Sequence, residues 1–480
     1  MIRTLRSTSP RLTFAVLAAG AGFFAMLQSL ISPVLPTIQH NLHTSQNTVT
    51  WVLTAYLLSA AVFTPILGRV GDMVGKKRML VVAMAALAVG CLLAALAPTI
   101  GVLIIARVVQ GIGGAVFPLS YGIIRDEFPA ARMSSAIGAM SAIIAAGGGV
   151  GVVMAGPIVA ALDYHWLFWI PMIVVAATAL TAALLVPESR VRAPGRINWG
   201  GSVLLSGWLV ALLLGVSKAP AWGWSSGRVL GLLLLAVVLA VAWLVAENRA
   251  ANPLIDLRMM RLPAVWTTNL VALLFGAAMF AIYAFLPQFV QTPSGAGYGF
   301  GASISEAGLL MLPMLVAMFV AGIVGGRLEP RFTARAQLIS GAALGTVSGA
   351  MLVFAHDTRW QIGVAAAVFG LGIGLAFASM TNLIVRSVPA GQTGVATGMN
   401  ANIRTIGGAI GAAVMSGVIT AHPLPNGLPR ETGFTHGFAT LAVLSLAAVL
   451  AAVAVPTARR TARRTPRPAV EELVPVTASR

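Results

Sequence analysis

The chain has 480 residues, of which 58% are hydrophobic and only 9% charged, and its mean hydropathy is +0.90. A soluble protein of this length needs far more polar surface, so the composition leaves an integral membrane protein. The formal net charge of +18 would suit a nucleic-acid binder, but the positions of the basic residues argue against that.

Apolar runs of about 20 residues, each long enough to cross roughly 30 Å of hydrocarbon as a helix, repeat from end to end. The first, 13–38, follows Arg3, Arg6 and Arg11. It continues past Met26 to Ile38, too long for the core of a secretory signal, and reads as a true helix. The next five are expected at 47–67, 79–98, 100–122, 133–161 and 166–186. Two shorter ones follow at 200–216 and 228–245, and six more at 263–288, 305–326, 336–355, 360–385, 394–420 and 435–456. No stretch shows repeated strand-like alternation, which excludes a barrel. The expected fold class is therefore an all-α integral membrane protein with 14 transmembrane helices.

Of the 31 Lys and Arg, about 25 fall in the N-terminus, the even-to-odd loops and the tail. Lys218, Arg228, Arg359 and Arg430 lie on the other side, and Arg107 and Arg404 fall inside spans. That positive-inside pattern predicts a multi-pass cell-membrane protein with both termini cytoplasmic. The tail at 457–480, with Arg459, Arg460, Arg463, Arg464 and Arg467, reads as a solvated end attracted to lipid headgroups. Nucleic acid is a poor partner for it, because no folded basic surface accompanies the tail. Cys91 is alone, so neither a disulfide framework nor a metal site is expected.

A charged segment, Gly68-Arg69-Val70-Gly71-Asp72-Met73-Val74-Gly75-Lys76-Lys77-Arg78, separates the second and third runs. A worn copy, Gly326-Arg327-Leu328-Glu329-Pro330-Arg331, recurs 258 positions later. The glycines Gly138, Gly147, Gly148 and Gly151 of the fifth run match Gly398, Gly407, Gly408 and Gly411 of the thirteenth at a shift of 260. Two matches at nearly one offset indicate a duplication of spans 1–6 as spans 9–14, each half supplying one wall of a central cavity. The expected units are a six-helix bundle at 13–186, a linker with two extra helices at 187–262, and a second six-helix bundle at 263–456.

With these features the chain resembles the major facilitator superfamily, specifically its fourteen-helix drug:proton antiporter branch (EmrB/QacA type). The signature loop G-x-L-x-D-R-x-G-R-K/R is met at Gly68, Asp72, Gly75, Lys76 and Lys77, with Met73 in the place of the usual arginine. Trp51-Val52-Leu53-Thr54-Ala55-Tyr56 and Asn252-Pro253-Leu254-Ile255-Asp256-Leu257-Arg258 are also similar to this branch. The resemblance implies two six-helix bundles, two inserted helices and transport by alternating access.

Physically, Asp72 can meet the positive N-terminus of a facing helix while Lys76, Lys77 and Arg78 grip carboxylates or headgroups, a latch present only when the cytoplasmic side is closed. Plain positive-inside anchoring is the other reading of the three basic residues. Arg107 and Gln110 are similar to the family's R-x-x-Q-G motif, which implies a part in proton relay or charge balance; an arginine that only satisfies carbonyls is the alternative. Gly147, Gly151, Gly156 and Pro157 are similar to the glycine-rich motif of exporters in this superfamily, with Ala160 and Ala161 replacing its closing glycines.

Gln28 stands where the family usually has an aspartate, and glutamine cannot titrate. Glu306 and Asp163, at span ends, are the nearest acids left for proton coupling. Gln28, Ser32, Tyr56, Thr268, Asn269, Tyr283, Asn382, Asn400 and Arg404 are polar positions that can face a cavity. The absence of deep acids favours neutral, amphiphilic or anionic small molecules over strongly cationic ones. The chain offers no ATP-binding loop, nucleophile–His pairing or metal spacing, so a non-enzymatic, monomeric exporter exchanging substrate for protons, without cofactor, is expected. An uptake carrier for a small organic solute is the alternative that the same fold allows.

Overall fold

The computed structural model describes residues 9–456 except 190, 194, 330, 422, 423 and 425–427. The basic tail at 457–480, Arg190, Pro194 and Pro330 lie outside the described residues. Among the described residues, fourteen helices are long and apolar enough to cross a membrane. They are α1 Pro10–Ser29, α2 Trp51–Val74, α3 Lys76–Ala95, α4 Ile100–Glu127, α5 Ala130–Ala161, α6 Trp166–Leu185, α7 Trp199–Trp222 and α8 Gly227–Arg249. Then follow α9 Pro263–Gln291, α10 Ile304–Leu328, α11 Ala334–Phe354, α12 Arg359–Ser387, α13 Thr393–Ile419 and α14 Glu431–Val453.

Three of the differences from the expected boundaries have a local reason. The first run is not one helix: α1 stops at Ser29, a single 3-10 turn spans Ser32–Val34, and a short helix covers Leu35–Asn41. Pro33 and Pro36 lack the N–H groups that would continue the ladder. The charged segment after the second run is helical almost throughout, because α2 runs to Val74 and α3 begins at Lys76. The turn is Gly75 alone, at φ 136°, a conformation that favours glycine, and a Cβ there would meet Glu188 Oε1 at 2.6 Å. The two middle helices, expected to be short, are 24 and 23 residues long. Lys218 extends the first of them by reaching Thr50 Oγ1 at 2.9 Å and lying 4.9 Å from the Trp51 ring.

Packing repeats between the two sets of six. Within the first set α1 packs on α5, α2 on α4 and α3 on α6; in the second, α9 packs on α13, α10 on α12 and α11 on α14. Across the sets α2 packs on α13 and α10 on α5, and α4 touches α13 as α12 touches α5. Exchanging the sets maps each pair onto another. The helices α7 and α8 pack on each other, and α7 leans on α2 and α13. Close approach rests on small residues: a Cβ at Gly147 would meet Gly22 O at 2.6 Å, and one at Gly407 would collide with Leu273 O.

Candidate functional site

Asp72 is fully buried at the last turn of α2. Its Oδ1 accepts the backbone N–H of Gly394 at 3.3 Å, and its Oδ2 accepts that of Val395 at 3.1 Å. Both donors belong to the first turn of α13, where N–H groups lack intrahelical partners and the helix dipole is positive. Buried Lys76 lies 3.7 Å from Asp72 Oδ1 and donates to Asp126 Oδ2 at 2.6 Å, tying α2, α3 and α4 into one acid–base–acid cluster. Ser189 Oγ donates to the same Asp126 oxygen. The backbone N–H of Lys77 donates to Glu188 Oε1 at 3.1 Å, and Arg78 Nε sits 3.7 Å from Glu188 Oε2. Arg78 is exposed, so of the three basic residues Lys76 is the one held inside.

The same end of the molecule carries further ties between the two sets of helices. Arg125 donates to Thr393 Oγ1 at 2.7 Å and to Val388 O at 2.8 Å. Arg386 on α12 pairs with Glu329 at 2.7 Å and donates to Ser134 Oγ at 2.5 Å on α5. Backbones meet at two glycine contacts: a Cβ at Gly68 would fall 2.8 Å from Gly394 O, and one at Gly326 would fall 2.9 Å from Ser134 O. Thus each copy of the duplicated segment closes on the first turns of a glycine-rich helix from the other half. This end is sealed.

Away from the seal, the halves enclose a cavity of about 330 Å³. Its lining uses α1 near Phe24–Ser29, the Leu53–Thr64 stretch of α2, the middle of α5, the Met279–Pro287 stretch of α9, and Ala401–Thr405 of α13. Most of the lining is apolar, aliphatic side chains and small residues together with Phe24, Phe117, Phe280, Met279, Met311 and Met314. Gln28, Tyr56, Tyr283 and Arg404 line it, together with Ser29, Asn402 and Thr405. Among the described residues Arg404 is the one charged side chain in the lining, and no carboxylate is there. A recess of about 10 Å³ shares Arg404 and Ile144 with the main cavity and brings in Tyr121, Thr381, Thr397 and Asn400.

Three residues expected at the cavity line neither space. Thr268 is fully buried and donates to Ala264 O at 2.6 Å; Asn269 accepts from Asn400 Nδ2 at 2.8 Å; Asn382 is 2% exposed. Thr268 and the Asn269 carbonyl are paired within and between helices, whereas Asn269 Nδ2 and Asn382 Oδ1 are buried without a hydrogen-bond partner among the described residues. The side chain of Ser32 lies outside the described residues.

Arg107 is fully buried behind Tyr56, its guanidinium carbon 4.1 Å from that ring. It donates to Val52 O at 3.0 Å, Leu27 O at 3.4 Å and Gln110 Oε1 at 2.6 Å. Neither Arg107 nor Gln110 lines the cavity; together they bind the backbones of α1 and α2 to α4. Glu306, about half exposed, closes a capping box with Ser303 at the start of α10 and lies 3.5 Å from Arg359. Asp163, also exposed, accepts from the backbone N–H of His165 at 2.7 Å. Both stand outside the cavity. On α5, Gly147 and Gly151 take the backbone of α1, Gly148 and Gly149 line the cavity, and a Cβ at Gly156 would fall 3.9 Å from Ser305 Oγ. Pro157 sits inside a helix that continues to Ala161.

Sequence reading missed Arg125, Ser134, Asp126, Glu188, Glu329 and Arg386 at the seal, and the apolar lining of the cavity. The seal residues lack any local pattern, since Arg125 and Arg386 find partners more than 250 positions away. The 261-residue spacing of those two arginines was the available signal. One group of metal-ligating types also gathers among the described residues, His356 with Asp357 and Glu431. There His356 Nε2 and Glu431 Oε1 are 3.2 Å apart, and both carboxylates are exposed.

Comparison with known proteins gives a consistent picture. The family model described as Major Facilitator Superfamily matches residues 17–412. The Tetracenomycin C resistance and export protein of Streptomyces glaucescens is 30% identical over 423 residues, 87% of this chain and 77% of that protein. The Methylenomycin A resistance protein of Streptomyces coelicolor is 30% identical over 413 residues, 84% of each chain. The multidrug transporter protein MdtP of Bacillus subtilis is 28% identical over 407 residues, 84% of this chain and 74% of its own. Among solved structures, the proton:xylose symporter XylE superposes with a TM-score of 0.66 at 14% identity, covering 93% of this chain and 96% of that one.

Proposed function

The chain belongs to the Major Facilitator Superfamily, and on that footing we propose that it exports small organic molecules across the cell membrane by alternating access, in exchange for protons. The observation that carries this reading is a central, mostly apolar cavity closed at one end by contacts between two halves of repeated design. The basic residues cluster at that sealed end, which makes it cytoplasmic, with both termini on the same side. The molecule is then closed toward the inner side. Export requires the seal to open, the cavity to take substrate from the inner side, and the seal to close again.

Asp72, with Gly68 and Gly75 shaping its surroundings, holds the closed arrangement through the N-terminus of α13. Lys76 fixes Asp72 and Asp126 in place, while Lys77 and Arg78 serve as surface anchors around Glu188. Arg107 and Gln110 brace α1, α2 and α4 around Tyr56. Glycines 147 and 151 let α5 slide close against α1, in keeping with the exporter type of fifth helix. The cavity lining contains no carboxylate among the described residues. The proton exchange therefore belongs to the buried acids of the seal: a protonated Asp72 no longer offers a charge to α13, and the inner side is released. Similarity to antibiotic resistance and multidrug transporters favours export over uptake of nutrients.

The test is transport by the purified protein in proteoliposomes with an imposed pH gradient, using one neutral, one anionic and one cationic fluorescent dye. Gradient-driven movement that a protonophore abolishes and Asp72→Asn slows supports the reading. Movement that ignores the gradient removes proton exchange, and whole-cell uptake without efflux replaces export by import.

A further inference from the structure

We propose that Arg404 sets the specificity of the central cavity, selecting aromatic molecules that carry a carboxylate or an acidic phenolate and binding them as anions. The inference rests on the transport reading of the same cavity and names what the cavity takes.

The three buried basic side chains each close on polar partners: Arg107 on Gln110 and two carbonyls, Lys76 on Asp126 and Asp72, Lys218 on Thr50. Arg404 is different. It faces the cavity, and among the described residues neither a carboxylate nor any hydrogen-bond acceptor engages its guanidinium. What it does meet is the face of Phe377, 4.1 Å from the guanidinium carbon. The side chain is also held by its own backbone, because Gly276 on α9 lets the Arg404 carbonyl approach where any Cβ would collide. A stacked guanidinium keeps its in-plane N–H groups free, and those groups suit a carboxylate held by two parallel hydrogen bonds.

Duplication sharpens the point. The position related to Arg404 by the 260-residue shift is Ile144, and Ile144 lines the same cavity and the same recess. The two related positions are thus apolar in one half and cationic in the other, and no carboxylate in the lining neutralises the charge among the described residues. A cation in an apolar, weakly polarisable enclosure is uncompensated until an anion arrives, and a cationic ligand there meets repulsion. The lining also includes the aromatic side chains Phe24, Phe117, Phe280 and Tyr283 among aliphatic neighbours, a surface that suits a flat aromatic body. A volume of about 330 Å³ fits a ligand of two to four fused rings at the small end of the drug-sized range.

The test uses three fluorescent probes of one shape: anthracene-2-carboxylate, anthracene-2-carboxamide and 2-(aminomethyl)anthracene. Their binding to the purified full chain in lipid nanodiscs is measured at neutral pH, which needs no transport. For the wild type the carboxylate should bind about tenfold or more tighter than the carboxamide, and the amine weakest. Arg404→Gln should bring carboxylate and carboxamide within about twofold while carboxamide affinity is retained, and Arg404→Lys should keep a reduced preference for the carboxylate. Equal wild-type affinities, a preference for the amine, or no binding of any probe overturns the proposal, as does Arg404→Gln with the carboxylate preference intact. Should Arg404→Gln fail to fold, the wild-type ranking decides alone. Anion selectivity without gradient-driven flux in proteoliposomes would instead sink the exporter reading and leave this one standing.

Discussion

Asp72 on α2 accepts the backbone N–H of Val395 on α13 at 3.1 Å, across 323 positions of the chain. The carboxylate also takes the neighbouring N–H of Gly394, so one side chain satisfies two orphan donors of a helix from the opposite half. Replacing Asp72 by Asn keeps the shape and removes the charge, which weakens the closed end by about 1.5–3 kcal/mol. We expect initial transport rates to fall about tenfold or more. Dye affinity at the cavity should stay within about twofold, because Asp72 lies outside the lining. Parallel flux and binding measurements separate the two.

Backbone proximity at the seal gives a second prediction. A Cβ at Gly68 would sit 2.8 Å from Gly394 O, and one at Gly326 would sit 2.9 Å from Ser134 O. Alanine at either position should destabilise the closed form by about 1–3 kcal/mol through overpacking. Gly363, on α12 with nothing within 4 Å, is the control, where alanine should be neutral or stabilising by up to about 1 kcal/mol. Protection of the seal against thiol reagents, with single cysteines placed on its buried face, reports the difference.

Much of this arrangement was legible in the sequence because hydrophobic length and charged punctuation are local signals. The fourteen spans follow from such patterns. Reading failed where tertiary contacts overrule local pattern. The apolar run through Ile38 concealed the break that Pro33 and Pro36 impose, and Lys218 marked the end of a span in sequence yet lies inside the helix because Thr50 and Trp51 receive it. The polar residues divided in the same way. Gln28, Tyr56, Tyr283 and Arg404 line the main cavity and Asn400 the recess, but Thr268 bonds to its own helix, Asn269 accepts from Asn400, and Asn382 is buried away from both spaces. Helical spacing says which residues share a face; it does not say whether that face meets a cavity or another helix.

Arg107 provides a third prediction. Its guanidinium holds three acceptors on α1, α2 and α4 and supports the Tyr56 ring. Arg107→Ala leaves those acceptors unpaired and a hole behind Tyr56, at a loss of about 2–4 kcal/mol. Arg107→Lys keeps the charge but cannot serve three directions, and should recover less than half of that loss. Thermal unfolding in detergent, followed by tryptophan fluorescence, should rank wild type above Lys above Ala.

Glu306 separates structural from coupling acids. Its carboxylate completes a capping box with Ser303, a task that glutamine also performs. Glu306→Gln should therefore leave gradient-driven flux within about twofold of wild type, with stability changed by less than about 1 kcal/mol. A coupling role would instead show as flux that no longer answers to the pH gradient.

The most direct measurement is the distance across the seal in lipid nanodiscs. Spin labels at Arg132, on α5, and Arg331, after α10, are both exposed and lie at the sealed end on opposite halves; the buried Cys91 is replaced by serine to leave no other thiol. The account predicts two distance populations in the wild type, the shorter matching the closed form described above, with Asp72→Asn moving weight to the longer. A single short distance, the same in wild type and in Asp72→Asn, would contradict it.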